Sequence, residues 1–265
     1  MRINSLAALS GLCLLSLLSG CASQDNNVKT LRTGYDALNA HQYDQAMTAA
    51  DKVLGANPQK SLPAEAHYLR GRVFEARAVA DSASSAADWQ QARNEYITAL
   101  SLPHAPDLDG RARAGAANVA YHQEDYATAY SQWQAALPKL EKADDHALAV
   151  YRLGQTAQRL GRWEEADAFF AQVQQSEPGS DLANRARQHQ GARGYSVQLA
   201  TFASPAQASK AISDAKRQGV NAMTVVDPSD ASHLLLRVGP VASYGEAKTI
   251  KARFAAVYPN AVIIP

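Results

Sequence analysis

The sequence predicts a multidomain chain, in which an export leader is followed by an all-α solenoid of helical hairpins and then a smaller α+β domain. Three observations carry this. An apolar run opens the chain between Leu6 and Leu18. A spaced pattern of aromatic and small residues then recurs four times before about residue 190. From about Gly194 the apolar residues change from helical spacing to the alternation of a strand. Alanine dominates before that point, and valine, leucine and isoleucine cluster after it.

Residues 1–20, MRINSLAALSGLCLLSLLSG, place one basic residue, Arg2, ahead of the apolar stretch. That stretch falls short of the roughly 20 apolar residues a membrane span needs and fits the core of a cleavable signal. It ends Leu18-Ser19-Gly20-Cys21, which resembles the bacterial lipobox. The resemblance implies a signal peptide over 1–20, acylation of Cys21, and a lipidated N-terminus with a short linker over 21–29. Ordinary cleavage beside an incidental cysteine is the alternative. Cys13 leaves with the leader, so the mature chain keeps one thiol and forms no internal disulfide. Each buried acyl methylene contributes about 0.8 kcal/mol, so several chains would hold the protein to a membrane almost permanently. Ala22 and Ser23, rather than Asp, follow the cysteine. By resemblance to the sorting pattern this implies the outer membrane, with the protein lipid-anchored and facing the periplasm.

Without Arg2, the 26 basic residues become 25 against 25 acidic ones. This balance argues against nucleic acid as a partner, because capture of a polyanion needs a surplus of cations.

The helical part, 30–191, reads as repeats. Each has an aromatic residue, an alanine three positions on and a further apolar residue four later: Tyr43, Ala46, Ala50; Trp89, Ala92, Tyr96; Tyr126, Ala129, Trp133; Trp163, Ala166, Phe170. Gly34, Ala117 and Gly154 stand twelve positions before three of these alanines, while Gly71 lies further back, behind an insertion around Ala80–Ala87. Small residues let antiparallel helices approach closely, and the aromatic residue fills the groove beside them. Pro58 and Pro178 close the second helices of their repeats; Glu141 stands at the corresponding place in the third. These segments resemble tetratricopeptide (TPR) repeats. The fourth, Val150, Leu153, Gly154 and Ala157 through Trp163, Ala166, Phe170 and Pro178, matches best. Residues 181–190 are expected to add a capping helix. The resemblance implies a groove that binds a protein; a plain spacer is the alternative. The charged stretch Arg162, Glu164, Glu165 and Asp167 reads as a solvated helix face.

The last domain, 192–265, alternates as a strand over 195–202. A helix over 204–218 follows, with Ser204 as cap, Pro205 at its first position, and Ala208, Ala211, Ile212 and Ala215 on its apolar face. Asn221–Asp227 reads as a second strand, Pro228–Ser232 as a turn and His233–Val238 as a third strand, broken at Gly239-Pro240. Ser243 starts a second helix that buries Ala247, Ile250, Phe254 and Val257, and Ala261–Ile264 is the last strand. The order is β-α-β-β-α-β, an antiparallel sheet with two helices on one face. Tyr195-x-Val197-Gln198-Leu199-x-x-Phe202, the helix start at Ser204–Ala211, and Arg237-Val238-Gly239-Pro240 with Ser243 and Ala247 resemble the SPOR (sporulation-related repeat) family. That resemblance implies a non-catalytic module for peptidoglycan, specifically glycan strands stripped of stem peptides.

Strand alternation puts Val197, Leu199, Leu234, Leu236 and Val238 in the core and leaves Gln198, His233, Leu235 and Arg237 on the open face. With Thr201, these are the candidate peptidoglycan-binding residues. His233 stands where the family often has an aromatic, Leu235 where it has a basic residue, and Thr201 where a small residue is common. Leu235 also reads simply as an exposed apolar side chain.

No catalytic residue, metal site or cofactor is expected. The sequence has no His-Glu-x-x-His, Gly-x-Ser-x-Gly or phosphate-cradling glycine motif. Asp107-Leu-Asp109-Gly110 lacks the remaining ligands of a calcium loop and reads as a helix N-cap. Eight residues, Ala22–Lys29, separate the lipid from the first repeat and reach under about 30 Å. The expectation is an envelope adaptor in cell division or wall remodelling. The alternative is an assembly lipoprotein of a pilus or secretion apparatus, and a wall hydrolase is a third reading.

Overall fold

The computed structural model describes residues 15–56, 61–81, 85–227 and 230–265, with side chains from Asn26 onward. Most of the expected leader, the Cys21 side chain, Pro58, part of the insertion and the start of the 228–232 turn lie outside the described residues. Among the described residues no helix is long and apolar enough to cross a membrane.

The chain divides into two compact units, Met1–His146 and Ala147–Pro265. The first contains the helices α1 (Leu15–Asn39), α2 (Tyr43–Gly55), α3 (Leu62–Ala80), α4 (Ser85–Ser101), α5 (Pro106–His122) and α6 (Tyr126–Ala136), with a short 3-10 turn at Leu137–Lys139. The repeat alanines Ala46, Ala92 and Ala129 are completely buried, as the spacing requires. Tyr96 shows why small residues recur: its ring is packed against two glycines, and a Cβ on Gly71 would lie 2.7 Å from Tyr96 Cε1. Gly115 of α5 approaches the same ring, and Ala117, the small residue expected in that helix, is completely buried. The Tyr96 hydroxyl donates to Glu75, which also accepts from Asn118 Nδ2 at 2.5 Å. Trp89 stacks on His122 at 4.2 Å, joining one helix pair to the next.

The second unit holds most of α7 (Ala143–Arg159), with α8 (Trp163–Ser176) and α9 (Asp181–His189). It continues with β1 (Tyr195–Phe202), α10 (Pro205–Arg217), β2 (Ala222–Asp227), β3 (Asp230–Val241), α11 (Tyr244–Phe254) and β4 (Val262–Ile264). Ala166 and Phe170 are fully buried. The expected cap at 181–190 is α9, started by Ser180, whose hydroxyl accepts the Ala183 N–H at 3.0 Å. The same turn joins α1 to α2, α5 to α6 and α7 to α8. In each, a residue with positive φ (His41, Glu124, Gly161) follows the first helix, and the next N–H returns to a carbonyl five residues back.

The four strands form one antiparallel sheet in the order β2-β3-β1-β4. Its core joins Tyr195, Val197, Leu199, Leu236 and Val238 to Ala211 and Ala215 of α10 and Ala247 and Phe254 of α11. Four local expectations are corrected. β3 does not break at Gly239-Pro240 but runs through it as a bulge, because the extra residue is absorbed between the Val197–Val238 and Tyr195–Val241 pairs. Val257 lies beyond the end of α11 and is 61% exposed. Ser204 occupies the N-cap without a side-chain bond, the cap hydroxyl being used instead at Ser243. Asp107 and Asp109 sit within the first turn of α5 behind Ala105 as N-cap. There Asp109 is claimed by Arg113 at 2.5 Å, Lys139 at 2.9 Å and His104 at 3.4 Å. Burial works to raise the Asp109 pKa, but these hydrogen bonds outweigh it and hold the carboxyl below its usual value.

Candidate functional site

The helices α10 and α11 pack on the face of the sheet that carries Val197, Leu236 and Val238, and among the described residues the other face is open. Strand register decides what it presents. Gln198 pairs with Arg237 on one side and Val262 on the other, and Met223 pairs with Arg237. One row across the face therefore reads Met223, Arg237, Gln198, Val262. The next row reads Val225, Leu235, Thr201. Thr201 reaches this row because Leu199 forms a bulge in β1, so that Gln198 and Ala200 oppose consecutive residues of β3. Without the bulge, alternation would turn Thr201 toward the helices with Val197 and Leu199.

Gln198 and Arg237 form a cross-strand pair: Arg237 donates from Nε and Nη2 to Gln198 Oε1 at 3.3 and 3.2 Å. The bond uses the Gln198 amide oxygen and leaves its amide N–H groups as donors. Met223, Val225 and Val262 are 49, 37 and 47% exposed, so apolar surface flanks the polar pair on both sides. Such a face suits a polysaccharide, whose hydroxyl and amide groups take hydrogen bonds while its ring faces pack on apolar side chains. Sequence reasoning misses these three residues. The alternation of β2 and β4 holds the signal, but their neighbours in the sheet are needed to place it.

The remaining candidates divide. His233 shares the face of β3 by alternation, yet its Nδ1 is tied to Asp230 Oδ2 at 2.7 Å. The Ser232 hydroxyl and backbone, then His233, pull the exposed Asp230 carboxyl down to about 2. His233 is thus a hairpin clasp at the end of the face. Leu235, expected to be exposed, is only 4% accessible, while Leu234, expected in the core, is half-buried. Leu235 lies mid-sheet between Thr201 and Val225, whereas Leu234 lies opposite Val226 and Phe202 near the sheet end.

β4 is short and covers β1 only from Ser196 to Gln198. Beyond it, the chain before β4 bends away and leaves a cavity of about 370 Å³ lined by Gln198, Ala200, Thr201, Val257, Tyr258 and Pro259, among others. It opens beside Gln198 and Thr201.

In the first unit, the first helices of successive pairs carry a connected run of polar side chains. Tyr35 donates to Glu65 at 2.6 Å, and Arg111 grips Glu65 through two nitrogens at 3.1 and 3.2 Å while lying 4.8 Å over the Tyr68 ring. Burial, then the Glu65 carboxylate, pushes the Tyr35 hydroxyl far above its ordinary pKa. This surface therefore carries cation and anion already matched to each other.

Residues 191–265 match the SPOR domain. The fold of the chain is a TPR-like helical region followed by this SPOR domain. Among solved structures, the chain is similar to PilF of Pseudomonas aeruginosa (16% identity, covering 90% of this chain and 95% of that one, TM-score 0.49). It is also similar to a mutant of MamA (18% identity, 60% and 78%, TM-score 0.42). A thermophilic TPR protein from Thermus thermophilus is a third (16% identity, 62% and 98%, TM-score 0.40). No curated protein sequence matches the chain. SPOR domains bind peptidoglycan, and TPR-like arrays bind proteins.

Proposed function

We propose that the chain is a non-catalytic envelope adaptor. In this reading the open face of the SPOR domain holds glycan strands stripped of stem peptides. The repeats recruit an envelope protein of cell division or wall remodelling, and a lipid on Cys21 tethers the chain to the outer membrane, facing the periplasm. The observation that carries it is the Met223, Arg237, Gln198, Val262 row, a polar pair flanked by apolar side chains on a face that no helix among the described residues covers. Each net hydrogen bond contributes only about 0.5–1.5 kcal/mol, so a single face binds modestly and gains from tethering.

The test is co-sedimentation of the mature chain, with Cys21→Ser, against sacculi before and after amidase removal of stem peptides. Binding that rises on stripping supports the reading. Absence of binding to both preparations overturns it and leaves the repeats as the place to seek function. Labelling of acyl chains on the wild-type protein but not on Cys21→Ser checks the anchor.

A further inference from the structure

We propose that the glycan-reading module extends back through the fourth repeat, with Arg159 and Trp163 as positioning residues for the Gln198–Arg237 pair. The inference rests on the glycan-binding reading of that face. The family match begins at residue 191, so both residues lie outside it. The compact unit begins at Ala147 and includes them.

Trp163 holds the place in its repeat that Trp89 holds in the second. Trp89 stacks on the next helix pair. Trp163 instead packs against the core of the sheet, with its ring 5.2 Å from Tyr195. Tyr195 is the first residue of β1 and is 2% exposed. Edge-on to it, 5.5 Å away, is Tyr244, the first residue of α11. Arg159, the last residue of α7, closes the cluster: its guanidinium carbon lies 3.5 Å over the Tyr244 ring and 5.5 Å over that of Tyr195. One turn into α8, Asp167 secures the connecting segment, accepting the Gly191 N–H at 2.8 Å and pairing with Arg193 at 2.8 Å. The sequence reads Asp167 as a solvated charge; here it is a staple.

This arrangement bears on the site through β1. Tyr195 is three residues before Gln198 on the same strand, about 10 Å along it. Between them the pairing with β3 shifts by one residue at Gly239-Pro240. A strand whose register changes so close to its start needs that start held, because a slip would turn Gln198 away from Arg237. The inclined contacts of Trp163 and Tyr244 with the Tyr195 ring hold it, and Arg159 ties this cluster to the repeat.

The test uses the mature chain with Arg159→Ala, Arg159→Gln, Trp163→Ala and Trp163→Phe. Two readouts are taken: affinity for stripped sacculi, and the NMR signals of the Gln198 side-chain amide and Arg237 Nε–H. Neither Arg159 nor Trp163 touches the open face, so a purely local packing role leaves those signals in place. The expected result is that Arg159→Ala and Arg159→Gln shift both signals and weaken binding about fivefold, the size of one cation–π contact. Trp163→Phe should restore most of what Trp163→Ala loses. If Trp163→Ala fails to fold, the two Arg159 variants decide. Signals at their wild-type positions with unchanged affinity overturn the inference. If the wild type binds no glycan, the functional reading fails separately and the NMR signals alone decide the positioning.

Discussion

Arg237 reaches from β3 to the amide oxygen of Gln198 on β1, placing two N–H donors on it at 3.3 and 3.2 Å. The register pairs these residues directly, so each orients the other on the open face. Gln198→Ala and Arg237→Ala should each weaken binding to stripped sacculi about five- to tenfold, the worth of roughly one to one and a half kcal/mol. The double variant should lose less than the product, since the two side chains share one bonded unit. Co-sedimentation isotherms at fixed salt measure both.

Leu235 shares that face but is nearly inaccessible at its centre. Its truncation should therefore appear as lost stability. Leu235→Ala is expected to cost about 2–4 kcal/mol in urea unfolding, with affinity per folded molecule close to wild type. A large affinity loss with unchanged stability would contradict this placement.

In the first unit, Gly115 faces the fully buried ring of Tyr96 so closely that no side chain fits between them. Gly115→Ala should destabilise by about 1–3 kcal/mol, because the ring is also fixed by its bond to Glu75 and has nowhere to go. Denaturant midpoints give the value.

Gly161 separates α7 from α8 at φ +73°, with nothing within 4 Å of an added Cβ. Gly161→Ala thus isolates the backbone cost of the left-handed conformation, about 1 kcal/mol in the same unfolding measurement. His41 and Glu124 bear that cost already in the equivalent turns.

His189 supplies a pH dependence. Burial first, then the nearby Arg159 charge, lowers its pKa below the ordinary 6.5. Its Nδ1 is within 3.0 Å of Gln158 Oε1, and its ring packs by Phe170 and Tyr151. Below pH 6.5 the unfolded chain takes up a proton that the folded chain refuses, so stability falls as pH drops from 6.5 toward the folded pKa. Denaturant unfolding of wild type and His189→Gln between about pH 7 and pH 5 tests this, and the variant should show the shallower slope.

The legible parts of this protein are those where one short stretch of sequence is sufficient. Ala46, Ala92, Ala129 and Ala166 all reach zero exposure, because a helix places residues three and four apart on one face whatever surrounds it. The β-α-β-β-α-β order and the placing of Gln198 and Arg237 on one face of the sheet are likewise within reach of alternation. Alternation places Leu199 in the core correctly but fails beyond it at Thr201, and it misjudges the burial of Leu234 and Leu235. A bulge adds a residue without a compositional mark, and burial at the centre or end of a sheet depends on neighbours from other strands.

The sequence by itself determined the repeat spacing, the switch from helix to sheet near residue 194, and the polar residue types offered to a ligand. These follow from period and side-chain chemistry, which are local. Only the tertiary structure decided that Met223 and Val262 flank the polar pair, that Thr201 faces outward, and that Trp163 and Asp167 serve the sheet domain. Each of these depends on contacts between segments far apart in the chain, and no periodicity within either segment encodes the distance between them.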